Sequence, residues 1–596
     1  MHRRPISLIR PSQWVVSWGP GSILETGRGS GVVPHPTSLL EKIEERYEIR
    51  DTVASEVLKR EVEQILGSEV GEVRIYTLPT NAEELLPETE VLYWLKPFPS
   101  WRLCQEREKH KNKHSILFQG SRCPECGSED QEQIRFVRAC CRGHLDDVDW
   151  HHLLHGGVYC GQHYFEWMGG GGLRETKIRC PNCKREINLG QAWNREWPCS
   201  GRLPERDQSE SCSSPSFIVL RQASNLRIPY VITLFPVAPL YTELHQHLGD
   251  RAIRLLVEGI QDMPDFWERL ERVLRQAHDR GQLDSQTVEE ILKAGKGRVQ
   301  RAMRDLEEVP RTLGEVLQRE FRTFVEGSRE GIPPQYDRGG SKPLIEVRPQ
   351  DVRRAGKFKV IPVHHLSTIV VQVGYWRDVR PVRSRSVTSE QPHLVPVGTP
   401  RGWTLWFPGV RLHGEGIFLM LDEGEEPLLP KGESAGRWMD AWRQGGRGYP
   451  RFVFRCDRRE ELHPVFVWWH ALSHLLIRAI SKVAGHPLAS IRERVYWEQA
   501  GSECRGGVLL YSVQPGAGGT MGGLLSLVSR FDGLLREVQE MAGRCSQDPL
   551  CWEQEFRPGG YAGASCYACL QLPETSCEHR NMWLDRRVLA ENFPGD

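Results

Sequence analysis

The sequence has no excess of charge of either sign: its 596 residues include 78 lysines and arginines and 78 aspartates and glutamates. A molecule without net charge has no overall attraction to nucleic acid, to a membrane surface or to an acidic substrate. Any such binding must therefore depend on a local charged patch. Two early arginines are followed by no apolar run of signal-peptide length and no small-residue cleavage site, so secretion is not expected.

Long apolar runs are also scarce. The longest, residues 465–480, is interrupted by two histidines and an arginine, which predicts a buried helix and no membrane span. We expect a cytoplasmic protein that has no membrane partner. In a reducing cytosol, grouped cysteines favour thiolate metal sites over disulfides, and the chain has 17 cysteines.

Recognisable catalytic motifs are missing too. The sequence has no P-loop, no paired H-x-K motif, no DEAD-type box and no G-x-S-x-G elbow, so it is predicted not to be an enzyme. His470 and His474 are one helical turn apart, but no glutamate follows the first of them, which excludes the zinc-protease motif. We interpret both as core histidines held by hydrogen bonds, with joint metal ligation as the alternative.

Length and patterning predict a mixed α/β and α+β multidomain protein with a zinc-organised, Cys-rich insert and a helical region. A single core stops growing near about 250–300 residues. We expect an N-terminal α+β domain over 1–120, a Cys/His-rich zinc-binding region over 121–215, a β segment plus helical domain over 216–340, and a C-terminal α/β domain with a terminal zinc knot over 341–596. The run "SQWVVSW" predicts the first strand, and residues 241–324 have helical periodicity.

Three groups of cysteines have the spacing of zinc sites. A C-x-x-C knuckle places two thiolates on one turn, so both reach one tetrahedral ion, and closed Cys-rich sites are structural. We therefore predict structural Zn²⁺, up to three ions. The predicted ligands are Cys123, Cys126, Cys140 and His144 for the first, Cys180, Cys183, Cys199 and Cys212 for the second, and Cys551, Cys566, Cys569 and Cys577 for the third. Cys141 is the alternative to Cys140, and Cys545 the alternative to Cys551.

The stretch "HLDDVDWHHLLH" combines acids and histidines at Asp146, Asp147, Asp149, His151, His152 and His155. Such a cluster could bind a catalytic divalent ion in a metal-dependent nuclease or hydrolase. Alternatively, Asp149 or its neighbours cap the helix "WHHLLH" and organise the zinc lobe.

The stretch "YWRDVRPVRSRSV" places four arginines beside two aromatic residues: Arg377, Arg380, Arg383 and Arg385. Arginines next to aromatics suit phosphate contacts and base stacking, which makes these residues candidate DNA contacts. A solvated loop is the alternative interpretation.

Several stretches together resemble the DrmB family of the bacterial DISARM anti-phage system. They occur in the family's order over nearly the whole chain: "IRPSQWVVSWGPGSILE", "RFVRACCRGHLDDVDW", "LRQASNLRIPYVI", "LSTIVVQVGYWRDVRP", "ASIRERVYW", "GGVLLYSVQPGAGGTMGGL" and "CYACLQLPETSCEHRNMWLDR". The family usually has one cysteine before "GH", where this chain has Cys140 and Cys141. The C-terminal third also resembles a cysteine-bearing domain of unknown function on some DEAD/DEAH-type helicases.

The resemblance implies a non-enzymatic, zinc-stabilised DNA-binding subunit. In the family, this subunit associates with the helicase-like ATPase DrmA, and the pair binds DNA within a defence complex. The partner would then supply ATP hydrolysis. A metal-dependent nuclease and a pure protein scaffold are the competing hypotheses.

Overall fold

The structure, a computed structural model, describes residues 4–5, 10–27, 29–37, 47–78, 94–158, 160–169, 172–193, 195–235, 244, 247–248, 251–260, 263–307, 310, 312–332, 344–379, 392–422, 425, 428–445, 459–500, 503–514, 523–557, 560–573 and 575–594. Within these ranges, none of the helices is long and apolar enough to cross a bilayer.

The helices are distributed along the whole chain. They are α1 (Pro11–Val16), α2 (Thr52–Leu66), α3 (Trp150–His155), α4 (Leu189–Trp193), α5 (Arg251–Glu258), α6 (Phe266–Asp279), α7 (Ser285–Ala294), α8 (Lys296–Glu307), α9 (Leu313–Glu330), α10 (Glu433–Arg443), α11 (Pro464–Ala484), α12 (Phe531–Ala542) and α13 (Arg586–Ala590).

The strands of the first half are mostly short. They are β1 (Arg4–Pro5), β2 (Ile23–Thr26), β3 (Gly29–Val32), β4 (Glu72–Tyr76), β5 (Trp94–Pro97), β6 (Trp101–Cys104), β7 (Ser115–Gln119), β8 (Glu132–Gln133), β9 (Phe136–Cys140), β10 (Leu145–Asp147), β11 (Tyr164–Met168), β12 (Lys177–Arg179), β13 (Glu186–Asn188), β14 (Trp197–Pro198), β15 (Arg202–Leu203), β16 (Gln208–Ser209), β17 (Pro215–Leu220) and β18 (Ile228–Leu234).

The second half contains the longest strands. They are β19 (Ile345–Val347), β20 (Arg353–Ala355), β21 (Phe358–Trp376), β22 (Val395–Pro396), β23 (Thr399–Arg401), β24 (Thr404–Leu421), β25 (Arg492–Ala500) and β26 (Glu503–Gln514). The chain is therefore a mixed α and β protein, which confirms the predicted fold class.

A ten-stranded sheet joins distant parts of the chain. Its main path runs β18-β21-β24-β26-β25, and β4 joins β24 in parallel. Since β4 comes from 1–120, β18 from 216–340 and the remaining strands from 341–596, this sheet crosses the domain boundaries expected from the sequence. The long-range pairing of β4 with β24 has no local signal that could have predicted it.

Helix α11 packs on one face of this sheet, against β25 and β26. It begins after His463, whose side chain accepts the Val465 N–H, and it ends at Gly485, where φ is 72°. Glycine adopts this left-handed conformation without a Cβ clash. The helix is buried on nearly all sides, including at His470 and His474, which confirms the buried helix predicted for this apolar run.

The Cys-rich region is built on two smaller sheets. One has the order β13-β12-β11-β7-β6-β8 and the other β10-β9-β17-β14. Their shared apolar cluster includes five aromatic side chains, among them Trp101, Trp150 and Trp167. A core of this size supplies little stability by itself, so metal staples are expected in such a lobe.

The helical periodicity of residues 241–324 is confirmed by α5 to α9. Helices α5 to α8 enclose their own apolar cluster around Leu270, Leu274 and Ile291. Helix α9 instead packs Phe321 and Phe324 onto the central sheet.

The strand predicted for "SQWVVSW" is wrong, because Pro11–Val16 is helical. A proline occupies the first turn, where helices tolerate it, and Trp14 and Val15 are buried beside the central sheet. Tertiary packing of this short apolar face outweighs the β-propensity of its residues.

Candidate metal centres

Five four-residue clusters in the described part of the chain each bring their ligand atoms to within 4.8 Å of one another. Zinc binds sulfur at about 2.3 Å and nitrogen at about 2.0 Å, so tetrahedral ligand atoms lie about 3.3–3.8 Å apart. We call the clusters sites A to E. Sites A to D contain three or four cysteines each, and site E contains one.

Site A consists of Cys104, His110, Cys123 and Cys126. Cys104 Sγ lies 3.7 Å from Cys126 Sγ, and Cys123 Sγ lies 3.4 Å from His110 Nε2. His110 Nδ1 is 2.6 Å from the His114 carbonyl oxygen, which accepts its proton and leaves the Nε2 lone pair facing the sulfurs. The structure therefore corrects the predicted first site: Cys123 and Cys126 lie with Cys104 and His110, not with Cys140 and His144.

Site B consists of Cys140, His144, Cys199 and Cys212. His144 Nδ1 lies 3.3 Å from Cys140 Sγ and 3.5 Å from Cys199 Sγ. On the other side of the ring, His144 Nε2 donates to Glu210 Oε1 at 2.8 Å. A carboxylate behind a histidine is the arrangement that orients metal-ligating imidazoles. Cys141 is not part of this cluster.

Site C consists of His155, Cys160, Cys180 and Cys183. Cys160 Sγ lies 3.2 Å from His155 Nε2 and 3.6 Å from Cys180 Sγ. The Cys180 and Cys183 knuckle occupies the turn between the paired strands β12 and β13. This grouping corrects the predicted second site, because Cys199 and Cys212 lie in site B.

Site D consists of Cys545, Cys551, Cys566 and Cys569. Cys545 Sγ lies 3.5 Å from Cys566 Sγ, and Cys551 Sγ lies 3.6 Å from Cys569 Sγ. The two cysteines treated as alternatives in the sequence are thus brought into the same cluster. A four-thiolate zinc site carries excess negative charge. Burial lowers the pKa of the Arg586 guanidinium, but the hydrogen bond and charge of Asp548, together with the charges of Cys569 and Cys551, outweigh burial and raise this pKa.

Cys577 lies apart from site D, which corrects the third predicted ligand set. It belongs to site E with His470, Glu493 and His579. His470 Nε2 lies 3.3 Å from Cys577 Sγ and 2.9 Å from Glu493 Oε1. Both predicted core histidines are buried and in polar contacts, since His474 Nε2 lies 3.2 Å from the same carboxylate oxygen.

One thiol in each of sites A to D has a lowered pKa. The hydrogen bond with Cys140 lowers the pKa of Cys199 to about 4, and a backbone N–H lowers the pKa of Cys183 to about 7. For Cys126 and Cys566, burial raises the pKa but hydrogen bonds outweigh it, and the resulting pKa is about 7. Each site therefore offers a thiolate near neutral pH, the form that binds metal.

The acidic stretch before α3 is used for structural contacts. Asp149 accepts the His152 N–H at 2.9 Å and so caps α3, while Asp146 pairs with Arg202 at 2.8 Å. Asp147 accepts hydrogen bonds from the backbone and hydroxyl of Ser100. The capping role proposed for Asp149 is confirmed, and in the described residues these three aspartates form no metal cluster.

The arginine cluster is only partly described. Arg377 is fully buried, and its guanidinium donates to the carbonyl oxygens of Gly143, Leu226 and Gly21. It therefore has no surface with which to contact DNA, and this candidate is corrected. Arg380, Arg383 and Arg385 lie outside the described residues and stay predictions.

Sequence reasoning missed five cluster members: Cys104, His110, Cys160, Glu493 and His579. It considered His155 and His470 only as members of other possible metal sites. Two pairs have a short cysteine–histidine spacing that could have drawn attention, Cys104 with His110 and His155 with Cys160. His470 and His579 are far apart in the chain, and only the fold brings them together.

Two families match parts of the chain. A domain of unknown function, DUF8724, matches residues 10–228, and the MrfA Zn-binding domain matches residues 472–570, which include all of site D. Zinc is thus the cofactor that both this family match and the cysteine clusters support.

The DISARM protein DrmB of Bacillus paralicheniformis is 25% identical to this chain over 529 residues, which are 83% of the chain and 89% of that protein. The resemblance to DrmB is thereby confirmed. The crystal structure of the DUF1998 helicase MrfA bound to DNA is similar over 34% of this chain and 20% of its own, at 11% identity. Its TM-score of 0.19 is too low to establish a common fold.

Proposed function

We propose that this chain is a zinc-stabilised, non-enzymatic subunit of a cytoplasmic anti-phage complex, which binds DNA and partners a helicase-like ATPase of the DrmA type. The observation that carries the proposal is the similarity to the DISARM protein DrmB, which extends over 83% of this chain and 89% of that protein. The match therefore involves the Cys-rich region and the central sheet together.

The geometry of the metal sites supports a structural rather than a catalytic role. Sites A to D each supply four protein ligands, whereas a catalytic zinc keeps a coordination position for water or substrate. The aspartates that a metal-dependent nuclease would use cap α3, pair with Arg202 or bind Ser100. ATP hydrolysis is then the task of the partner.

We place one DNA contact at the tip of the β23–β24 hairpin. Trp403 at this tip is 97% exposed. Behind it, the guanidinium groups of Arg401 and Arg74 lie over the ring of Trp406, at 5.7 and 5.6 Å from its centre. An exposed aromatic ring beside arginines suits stacking on an unpaired base, which is worth about 1–3 kcal/mol per base.

The first experiment tests the partner. The chain is coexpressed with a tagged helicase-like ATPase of the DrmA type from the same genome, and the proposal expects a stoichiometric complex after a salt wash. The isolated chain should show no nucleotide hydrolysis and no DNA cleavage with added divalent ions. Cleavage that is lost in Asp146→Asn with Asp147→Asn would instead support a nuclease.

The second experiment tests the DNA contact in the complex, by fluorescence anisotropy on a labelled single-stranded oligonucleotide at two salt concentrations. Trp403→Ala should weaken binding by about 5- to 150-fold, the equivalent of one lost stack. The salt dependence should not change, because stacking releases no counterions. The matched control is Tyr567→Ala, an aromatic that is 85% exposed beside site D. Equal effects of the two variants would contradict a specific contact at Trp403.

A further inference from the structure

Site E differs from the other clusters in its chemistry and in its depth. Its members come from α11, β25 and the segment before α13, and all four are buried: His470 and Glu493 are 0% exposed, Cys577 4% and His579 6%. The match to the MrfA Zn-binding domain ends at residue 570, before Cys577 and His579.

Each side chain of site E is held by a partner outside the cluster. His470 Nδ1 lies 3.3 Å from the Trp583 carbonyl oxygen, which accepts its proton and directs the Nε2 lone pair towards Glu493 and Cys577. His579 Nε2 lies 3.3 Å from Glu461 Oε1. Carbonyl and carboxylate partners of this kind fix the tautomer and the orientation of metal-ligating histidines.

The sulfur of Cys577 is oriented as a metal ligand. It accepts the backbone N–H groups of His579 and Asn581, both at 3.3 Å. The same contact occurs in two of the Cys-rich sites, where Gly201 N–H points at Cys199 and Gln547 N–H points at Cys545. Backbone N–H groups aimed at a sulfur stabilise the thiolate, the form in which cysteine binds metal.

We infer that site E binds a zinc ion of its own through His470, Glu493, Cys577 and His579, in addition to the ions of sites A to D. A thiolate and a carboxylate neutralise Zn²⁺, so the ion together with its four ligands carries no net charge and can be buried at a lower electrostatic cost than a charged site. Imidazole, thiolate and carboxylate are all zinc ligands, and four protein ligands make the site closed and structural.

The ion would fasten the C-terminal segment to the central core. Cys577 and His579 belong to a segment that precedes α13, His470 to the core helix α11 and Glu493 to the sheet strand β25. A metal bound by all four residues would therefore link the three elements directly. The inference does not depend on DNA binding or on a partner.

The alternative to a metal ion at site E is a network of hydrogen bonds among the same side chains. His474 Nδ1 lies 2.8 Å from the Leu570 carbonyl oxygen, and its Nε2 faces Glu493. The Ser473 hydroxyl donates to the same carboxylate. A protonated His474 beside an ionised Glu493 would satisfy the site without a metal, and a metal count separates the two arrangements.

The test is the zinc content of the full chain, purified from zinc-supplemented cells and measured by plasma mass spectrometry. We expect five zinc ions per wild-type chain and four in Cys577→Ser. Cys566→Ser, in site D, should also lose one ion. The matched control is Cys504→Ser, a buried cysteine outside every cluster, which should keep five.

A second measurement covers the case in which Cys577→Ser does not fold. The wild-type chain is stripped and titrated with Co²⁺ while thiolate-to-metal absorption is recorded. Four equivalents should give strong absorption from three or four thiolates each, and a fifth should bind with much weaker absorption from a single thiolate. Saturation at four equivalents, or a zinc content equal in wild type and Cys577→Ser, would overturn the inference.

Discussion

At the scale of single residues, Arg377 has a structural role and not the surface role that the sequence suggested. Its three carbonyl acceptors lie in the turn before β2, in the turn between β9 and β10, and just before β18. One planar side chain with several donors can join three segments through their carbonyl groups. The arginine-rich sequence context alone suggested a DNA contact.

Replacing Arg377 with methionine should therefore destabilise the protein strongly. Three buried carbonyl groups would lose their donor, and each such loss costs about 1–3 kcal/mol. We expect the free energy of unfolding to fall by at least about 3 kcal/mol, seen as a lower urea midpoint by tryptophan fluorescence. Arg505→Met removes only an exposed pair with Glu503 and should change the free energy of unfolding by less than about 0.5 kcal/mol. Similar midpoints for the two variants would disprove the role assigned to Arg377.

Cys183 supplies a pH-dependent readout of site C. It is exposed, and its pKa is lowered to about 7 by a backbone N–H. In zinc-stripped protein, alkylation by iodoacetamide should accelerate about tenfold between pH 6 and pH 8, because the reactive thiolate fraction rises through that pKa. Zinc should protect the thiol.

The control for this reaction is Cys504, whose thiol is buried and has a pKa raised by that burial. Peptide mapping should find Cys504 unmodified both with and without zinc. If zinc gave Cys183 no protection, this thiol would not be a ligand.

At the scale of elements, the sequence predicts which cysteines share a knuckle but not which knuckles share an ion. The three C-x-x-C pairs are each kept together, since residues on one turn cannot separate: Cys123 with Cys126, Cys180 with Cys183, and Cys566 with Cys569. Their partners come across strands: β9 and β14 both pair with β17, which brings Cys140 beside Cys199. Spacing along the chain contains no information about such neighbours, so the predicted sites combined halves of different clusters.

The same limit explains the central sheet. The hydrophobic and β-branched runs of β18, β21 and β26 have the local pattern of strands. The parallel pairing of β4 with β24 joins residues 72–76 to residues 404–408 and depends on tertiary packing alone. The acidic cap of α3, by contrast, is a local signal, and the sequence was sufficient to propose it.

That cap links an element to a metal site and can be tested. Asp149→Ala removes the acceptor of the His152 N–H and should cost α3 about 1 kcal/mol. Because His155 is the last residue of α3 and a member of site C, zinc affinity there should fall by about fivefold, measured by competition with a chromogenic chelator.

Asp146→Ala is the matched control for the cap. It removes a carboxylate three positions away whose partner is Arg202, so site C should keep its affinity. An equal loss of zinc affinity in both variants would indicate that charge near α3, rather than the cap, stabilises the site.

At the scale of the whole molecule, small metal-stapled sheets are attached to one large sheet. Site A and site C flank the six-stranded sheet, and site B joins β9, β14 and the turn after β9 in the four-stranded sheet. Arg377 then connects this lobe to the strands of the central sheet. The zinc sites thus fix architecture, and the DNA binding that we propose would depend on surfaces that this architecture positions.

A molecule with equal numbers of acidic and basic residues should bind DNA through few phosphate contacts. Arg380, Arg383 and Arg385 are the candidates, and each phosphate contact contributes about 0.7–0.9 to the slope of log affinity against log salt concentration. Replacing all three with glutamine in the complex should therefore lower that slope by up to about 3 units and weaken binding to all sequences alike. The matched control replaces Arg269, Arg275 and Arg544, which are exposed and each paired with an acid four positions earlier in the chain. If the control lowered the slope as much as the test variant, the attraction would be diffuse, and the arginine stretch would be a solvated loop.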